Sequence, residues 1–285
     1  MAGCFKAEVS AMENLCTIVA LTNFYYAAQL ILGKCRPAVL WTIFGALPVV
    51  CTYHWTCTRN FDLFIWIKLY SIMLCICWGT WFRFGQQDQL KWMQSSIALL
   101  LLANVAEATV LDLFGTGTAH HLNAASGLIL MMCLLSRFPK ISIDDQSGKR
   151  CLLFNVPITW IIGYTLWNWT FVYLNYPAYL GHHTAVLAAA LAVGLIDRKR
   201  WVQARAATLG VNLLWMACFP SQLLEFSNTS SWSNPQIETI VAIVSLGWML
   251  QLLAQRAMAA CRSERSHVAP GTWKYTMLGI VNRQS

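Results

Sequence analysis

Apolar residues in this chain come in blocks of about 15–24 positions, separated by short connections rich in glycine, proline or charge. A membrane span needs roughly 20 predominantly apolar residues. The blocks predict nine helices, at about 14–33, 37–57, 62–82, 92–112, 119–136, 152–175, 182–196, 201–224 and 236–258. Breakers such as Gly33-Lys-Cys-Arg-Pro37, Arg59-Asn-Phe-Asp62, Gly115-Thr-Gly117 and Pro177-Ala-Tyr-Leu-Gly181 separate them. The stretch from Arg137 to Arg150, with Asp144-Asp-Gln-Ser-Gly148 inside it, reads as a solvated loop. The expectation is an all-α polytopic bundle with seven to nine spans, nine fitting best. It forms one integral membrane domain over residues 1–285, with a short leading segment at 1–13 and a tail at 259–285. No period suggests an internal repeat, which argues against a repeat-built transporter.

Composition agrees with the pattern. Of the 285 residues 57% are hydrophobic and 11% charged, against about 25% charged in soluble domains. The net charge of +8 could point to nucleic acid, but its placement points elsewhere. With nine spans, Lys34, Arg36, Arg83, Lys91, Arg137, Lys140, Lys149, Arg150, Arg198, Lys199 and Arg200 fall on one side. Lys6 and Arg59 alone fall on the other. Positive loops mark the cytosolic side, so the C-terminus is expected in the cytosol and the N-terminus in the lumen, with an endomembrane such as the endoplasmic reticulum as the location. The N-terminus lacks the pattern of a cleavable signal. Eleven cysteines are scattered without a Cys-x-x-Cys pair, so they read as free thiols. Asn228-Thr-Ser230 is a glycosylation sequon in a lumenal loop, whereas Asn168-Trp-Thr170 lies within a helix.

Carboxylates inside the apolar blocks stand out. Each costs about 2.5–3.5 kcal/mol at mid-membrane and marks a functional site by default. Glu107 and Asp112 occupy the lumenal half of the fourth helix with Asn104, and Trp66, Lys68 and Tyr70 lie in the same half of the third. His54, His120, His121, His182, His183 and Glu225 also collect there, which suggests a polar cavity open to that leaflet. At about 100° per residue, Trp160, Tyr164, Trp167, Asn168, Phe171 and Asn175 share one arc of roughly 100° on the sixth helix. That face reads as an aromatic cavity wall or as ordinary packing. By the same rule Glu107 and Asp112 stand about 140° apart, so they form no proton-sharing pair. Asp112 reads as a solvated carboxylate at the cavity mouth or as a second acid. Glu107 reads as a buried acid or as the partner of Lys68 in a structural salt bridge. Arg205, near the cytosolic end of its helix, could snorkel to lipid phosphates. Adjacent histidines point about 100° apart and seldom hold one ion, so no metal and no cofactor is expected.

A desolvated carboxylic acid keeps its proton and suits general acid catalysis. Aromatic faces stabilise a cation by about 0.5–2 kcal/mol each. Together they fit protonation-initiated cyclisation of a lipophilic isoprenoid. The chain has no Asp-Asp-x-x-Asp for ionising a diphosphate with magnesium.

The elements Trp66-Ile-Lys68-Leu-Tyr70-Ser71, Asn104-Val-Ala-Glu107 with Asp112, Tyr164-Thr-Leu-Trp167-Asn168, and Trp201-Val-Gln-Ala-Arg205 followed by Phe219-Pro220 carry a resemblance over about residues 60–250. They resemble a sparsely characterised family of multi-spanning membrane proteins that includes the fungal terpene cyclases of ascochlorin and ascofuranone biosynthesis. The resemblance implies a substrate with an epoxidised farnesyl tail on an aromatic meroterpenoid head, and it raises Arg205 from lipid anchor to motif position. The implied roles are Glu107 as proton donor or its direct support and Asp112 as a second acid. Trp66, Trp160, Tyr164, Trp167 and Phe171 would shape the cavity, with Lys68, Asn104 and Asn168 around the acid. The rival class is a proton-coupled transporter or channel that exchanges protons at Glu107 and Lys68; the plainest is a scaffold without chemistry. The expected partners are a lipophilic small molecule and membrane lipids, not nucleic acid.

Overall fold

The computed structural model describes residues 2–85, 91–136, 140–145 and 150–267. The predicted loop at 137–139 and 146–149 and the tail beyond His267 lie outside the described residues. The helices are α1 (Ala2–Lys34), α2 (Pro37–Trp41), α3 (Leu47–Thr58), α4 (Leu63–Phe84), α5 (Lys91–Phe114) and α6 (Thr118–Leu135). They continue as α7 (Ile158–Asn175), α8 (Leu180–Ile196), α9 (Trp201–Cys218), the short α10 (Pro220–Phe226) and α11 (Pro235–His267). A π-helical stretch, Thr42–Ala46, joins α2 and α3 into one rod. Pro48, in the first turn of α3, has no N–H to complete an ordinary turn, which accounts for the wider coil.

Among the described residues seven helical segments are long and apolar enough to cross a membrane: Glu13–Lys34, Pro37–Thr58, Leu63–Phe84, Gln94–Phe114, Thr118–Leu135, Pro177–Ile196 and Pro235–Cys261. The chain is therefore a multi-pass membrane protein of the all-α class. Helices α7 and α9, 18 residues each, occupy the remaining predicted spans. Their tryptophans, asparagines and Arg205 dilute the apolar run, and both helices are enclosed by the others. Trp160, Tyr164 and Trp167 of α7, and Arg205 and Thr208 of α9, are buried. An enclosed helix needs no apolar coat facing lipid. The outer helices do: Val49, Val50, Leu63, Leu74, Phe114 and Ile196 are exposed, as hydrocarbon solvent permits and water would not.

The structure corrects three expectations. The Arg137–Arg150 region is more than a solvated loop, and the sixth helix begins at Ile158 rather than near residue 152. Strand β1 (Ile141–Asp144) pairs antiparallel with β2 (Cys151–Phe154), Ile141 opposite Phe154. Strand β2 alternates, burying Leu152 and Phe154, β1 buries Ile141, and Pro157 sets the N-terminus of α7. The predicted 201–224 helix also breaks at Phe219, where Pro220 opens α10.

The hairpin closes one end of the bundle. Arg83 is buried and donates to the carbonyls of Arg150 at 2.7 Å and Gly33 at 3.0 Å. The Leu152 N–H donates to Gln203 Oε1 at 2.8 Å, and Arg200 pairs with Asp144 at 3.2 Å. At the opposite end Arg59 caps the last carbonyls of α9, those of Ala217 and Cys218, at 3.0 and 2.8 Å.

Helices α5, α6 and α7 meet at Gly127, whose missing Cβ leaves room for Thr109 and the indole of Trp167. Small residues allow such close approach between helices in lipid. The Thr109 hydroxyl is tied to the Val105 carbonyl and the Trp167 Nε1–H to the Asn123 carbonyl, so neither yields easily. Gly127→Ala should therefore destabilise by about 1–3 kcal/mol, seen as a lower Tm in detergent. An unchanged Tm would show that the three helices can part freely.

Candidate binding and catalytic site

The third and fourth predicted helices, now α4 and α5, bring Lys68 and Glu107 together. Lys68 Nζ donates to Glu107 Oε2 at 2.7 Å and to the Asn104 carbonyl at 3.2 Å. Ser71 Oγ donates to the same carboxylate oxygen at 3.3 Å. The ammonium also lies 5.4 Å from the centre of the Phe64 ring. Lysine and carboxylate are thus paired within the helical layer, where either alone would be costly.

A second polar group lies between α7, α8 and α9. Arg205 Nη2 donates to Asn168 Oδ1 at 3.0 Å, and Arg205 Nε reaches the Tyr164 hydroxyl at 3.4 Å. His183 Nε2 stands 2.6 Å from the same Asn168 oxygen, so that nitrogen carries the proton. Arg205 is 4% exposed. Its seat excludes the snorkelling role: the guanidinium turns into the bundle, toward Asn168, not toward lipid phosphates.

Two cavities meet at these groups. One, of about 100 Å³, lies toward the end opposite the hairpin, lined by Phe64, Lys68, Asn104, Asn168, Phe171, Tyr176, His183 and Arg205. The other, of about 110 Å³, runs toward the hairpin between Leu40, Phe44, Ile72, Ile76, Leu101, Tyr164 and Arg205. Asn104, Arg205 and Leu209 belong to both walls. Among the described residues these walls carry no carboxylate. Tyr176 roofs the first cavity. Burial, and then the carboxylate of Asp62 beside it, push its phenol above the ordinary range.

The predicted residues separate into four groups. Lys68, Asn104, Tyr164, Asn168, Phe171 and Arg205 reach the cavities, and Glu107 touches them through Lys68. Trp160 and Trp167 do not: their Nε1–H groups donate to the carbonyls of Leu130 at 3.2 Å and Asn123 at 3.1 Å. Both rings pack against α6, because an arc of roughly 100° on an enclosed helix spans two neighbours. Trp66 stacks on Tyr70, ring centres 6.0 Å apart, and the Tyr70 hydroxyl bonds to Thr52, so this pair joins α3 to α4 outside the cavity walls.

Asp112 is not at a cavity mouth. It is fully buried, accepting from Asn123 Nδ2 at 2.7 Å and Asn175 Nδ2 at 2.8 Å, with His120 Nδ1 at 3.1 Å. The residue staples α5, α6 and α7 near their ends. His54 and His121 are exposed. His182 and His183 diverge as expected, His182 edge-on to Trp215 at 5.8 Å. Sequence reasoning missed His183 and Tyr176 as wall residues; the crowding of polar groups in one half was the available signal, and it named no partner.

Fold and site together define a polytopic helical membrane protein with a cationic, aromatic-walled cavity inside the bundle. The chain belongs to a family of unknown function, DUF5692, whose profile matches residues 8–275. Comparison with curated proteins and with solved structures finds no match.

Proposed function

We propose that the protein is a membrane-embedded terpene cyclase that acts on a lipophilic isoprenoid joined to an aromatic head. The observation that supports this reading is Lys68 in the wall of an aromatic cavity, paired behind the wall with Glu107. In the proposed reaction the Lys68 ammonium gives its proton to an epoxide oxygen while Glu107 holds the nitrogen in place. One C–O bond breaks, alkene electrons close a ring, and the carbocation loses a proton from a neighbouring carbon to the Lys68 amine. Atoms and charge balance, and the product is an isomer. Phe64, Phe171 and Tyr176 flank the cation, each ring face worth about 0.5–2 kcal/mol. The resemblance of the Lys68, Glu107, Asn168 and Arg205 segments to fungal meroterpenoid cyclases supports the same substrate class. The test is expression in a host without related enzymes, fed an epoxyfarnesyl phenol. An isomer of unchanged mass is expected; folded protein that yields none sinks the reading.

One observation favours a proton-coupled transporter as a second reading. The two cavities lie in opposite halves of the bundle and meet at Asn104 and Arg205. Substrate-driven proton flux in proteoliposomes, without any isomer formed, would select it.

In this reading the basic hairpin end faces the cytosol and the opposite end the lumen of the endoplasmic reticulum or a related membrane. Asn228 is exposed at that opposite end. In microsomes it should carry a glycan that endoglycosidase removes and Asn228→Gln abolishes. A wild-type chain that remains unglycosylated, with a protease-accessible lumenal tag, would reverse the orientation.

A further inference from the structure

Arg205 is buried, and among the described residues it has no counter-ion. Lys68 has Glu107 at 2.7 Å, and the remaining ion pairs of the described residues leave Arg205 out. Its polar contacts, Asn168 and Tyr164, are neutral. The third nitrogen, Nη1, is buried and has no hydrogen-bond partner among the described residues. An uncompensated buried charge is strongly destabilising unless something completes it, and guanidinium is shaped to receive the oxygens of carboxylate or phosphate. Asn168 is held in turn by His183, which keeps the fork oriented. The cavity toward the hairpin departs from Arg205 with apolar walls such as Phe44, Ile72 and Leu101.

We propose that Arg205 binds the oxyanion of an amphiphile, a carboxylate or phosphate, with the ligand's hydrocarbon chain lying in the cavity toward the hairpin. The inference rests on reading these cavities as the substrate site and narrows the substrate to one bearing an anionic head. One net positive charge at the junction suits one negative charge on the ligand, since Glu107 already neutralises Lys68.

The experiment is ligand binding to the full-length protein in neutral detergent, followed by tryptophan fluorescence. Farnesoic acid, farnesyl monophosphate, farnesol and a phosphatidic acid are titrated separately. At least one anion should bind ten times or more tightly than farnesol, a comparison that needs no variant. Arg205→Met should weaken anion binding at least tenfold while leaving farnesol unchanged, and Arg205→Lys should restore part of the loss. Preference for the prenyl anions assigns the head to a substrate; preference for phosphatidic acid assigns the same oxyanion site to a lipid headgroup. Farnesol binding as tightly as both prenyl anions and the phosphatidic acid overturns the proposal, as does anion binding indifferent to Arg205→Met. Anion binding without isomer formation would sink the cyclase reading alone. Undiminished isomerisation by Arg205→Met of an epoxyfarnesyl benzoate, whose carboxylate supplies the anionic head, would sink this one alone.

Discussion

Glu107→Gln is expected to reduce isomer formation by about 10²–10⁴-fold, the range that a positioned proton donor contributes, while the protein still folds. An amide can accept from Lys68 but has no charge with which to hold an ammonium inside the bundle. Lys68 Nζ would then have only neutral acceptors, the introduced amide and the Asn104 carbonyl at 3.2 Å. Lys68→Met should produce a comparable loss, and the double variant should be little worse than either alone, because the two residues act as a unit. The readout is the isomer measured by mass spectrometry, with gel filtration and Tm as folding controls. Normal turnover by folded Glu107→Gln would remove the pair from the chemistry and leave it a structural link between α4 and α5.

Asp112→Ala should have the opposite profile, a folding defect rather than a catalytic one. The substitution leaves three donors, from His120, Asn123 and Asn175, without their acceptor in a fully buried position. Breaking such a network costs about 3–5 kcal/mol, enough to deplete the folded protein from membranes. Asp112→Asn keeps an acceptor oxygen and should be milder. Thermal unfolding in detergent and yield in the membrane fraction check this. An Asp112→Ala protein with wild-type Tm but no product would return Asp112 to the chemistry.

These two acids show how much of the site was legible. In the sequence they are near neighbours on one helix, both in the same half of the membrane, and helical geometry only says that they diverge. The pairing of Glu107 with Lys68 was readable as an option, since both lie at matching depth on consecutive helices. The burial of Asp112 was not readable, because its position beside Gly115 looks like a helix end in solvent. What encloses it comes from α6 and the end of α7, and no pattern within α5 announces those partners.

The aromatic face of α7 shows the same limit. Its six residues do share an arc, yet Trp160 and Trp167 pack on α6 while Tyr164, Asn168 and Phe171 reach the cavities. The hairpin was hidden for a different reason. Cys151-Leu-Leu-Phe154 adjoins the apolar run of α7, and a short apolar segment has no period that separates strand from helix.

Length and apolarity were enough for the all-α class and the placement of the long helices, because lipid solvates each helix almost independently and so leaves its mark within each segment. Contacts across the bundle are another matter. Lys68 and Glu107 are 39 positions apart, and Arg205 and Asn168 37. Packing of enclosed helices brought them together, and packing depends on which faces fit, a property of pairs of helices that no single segment carries.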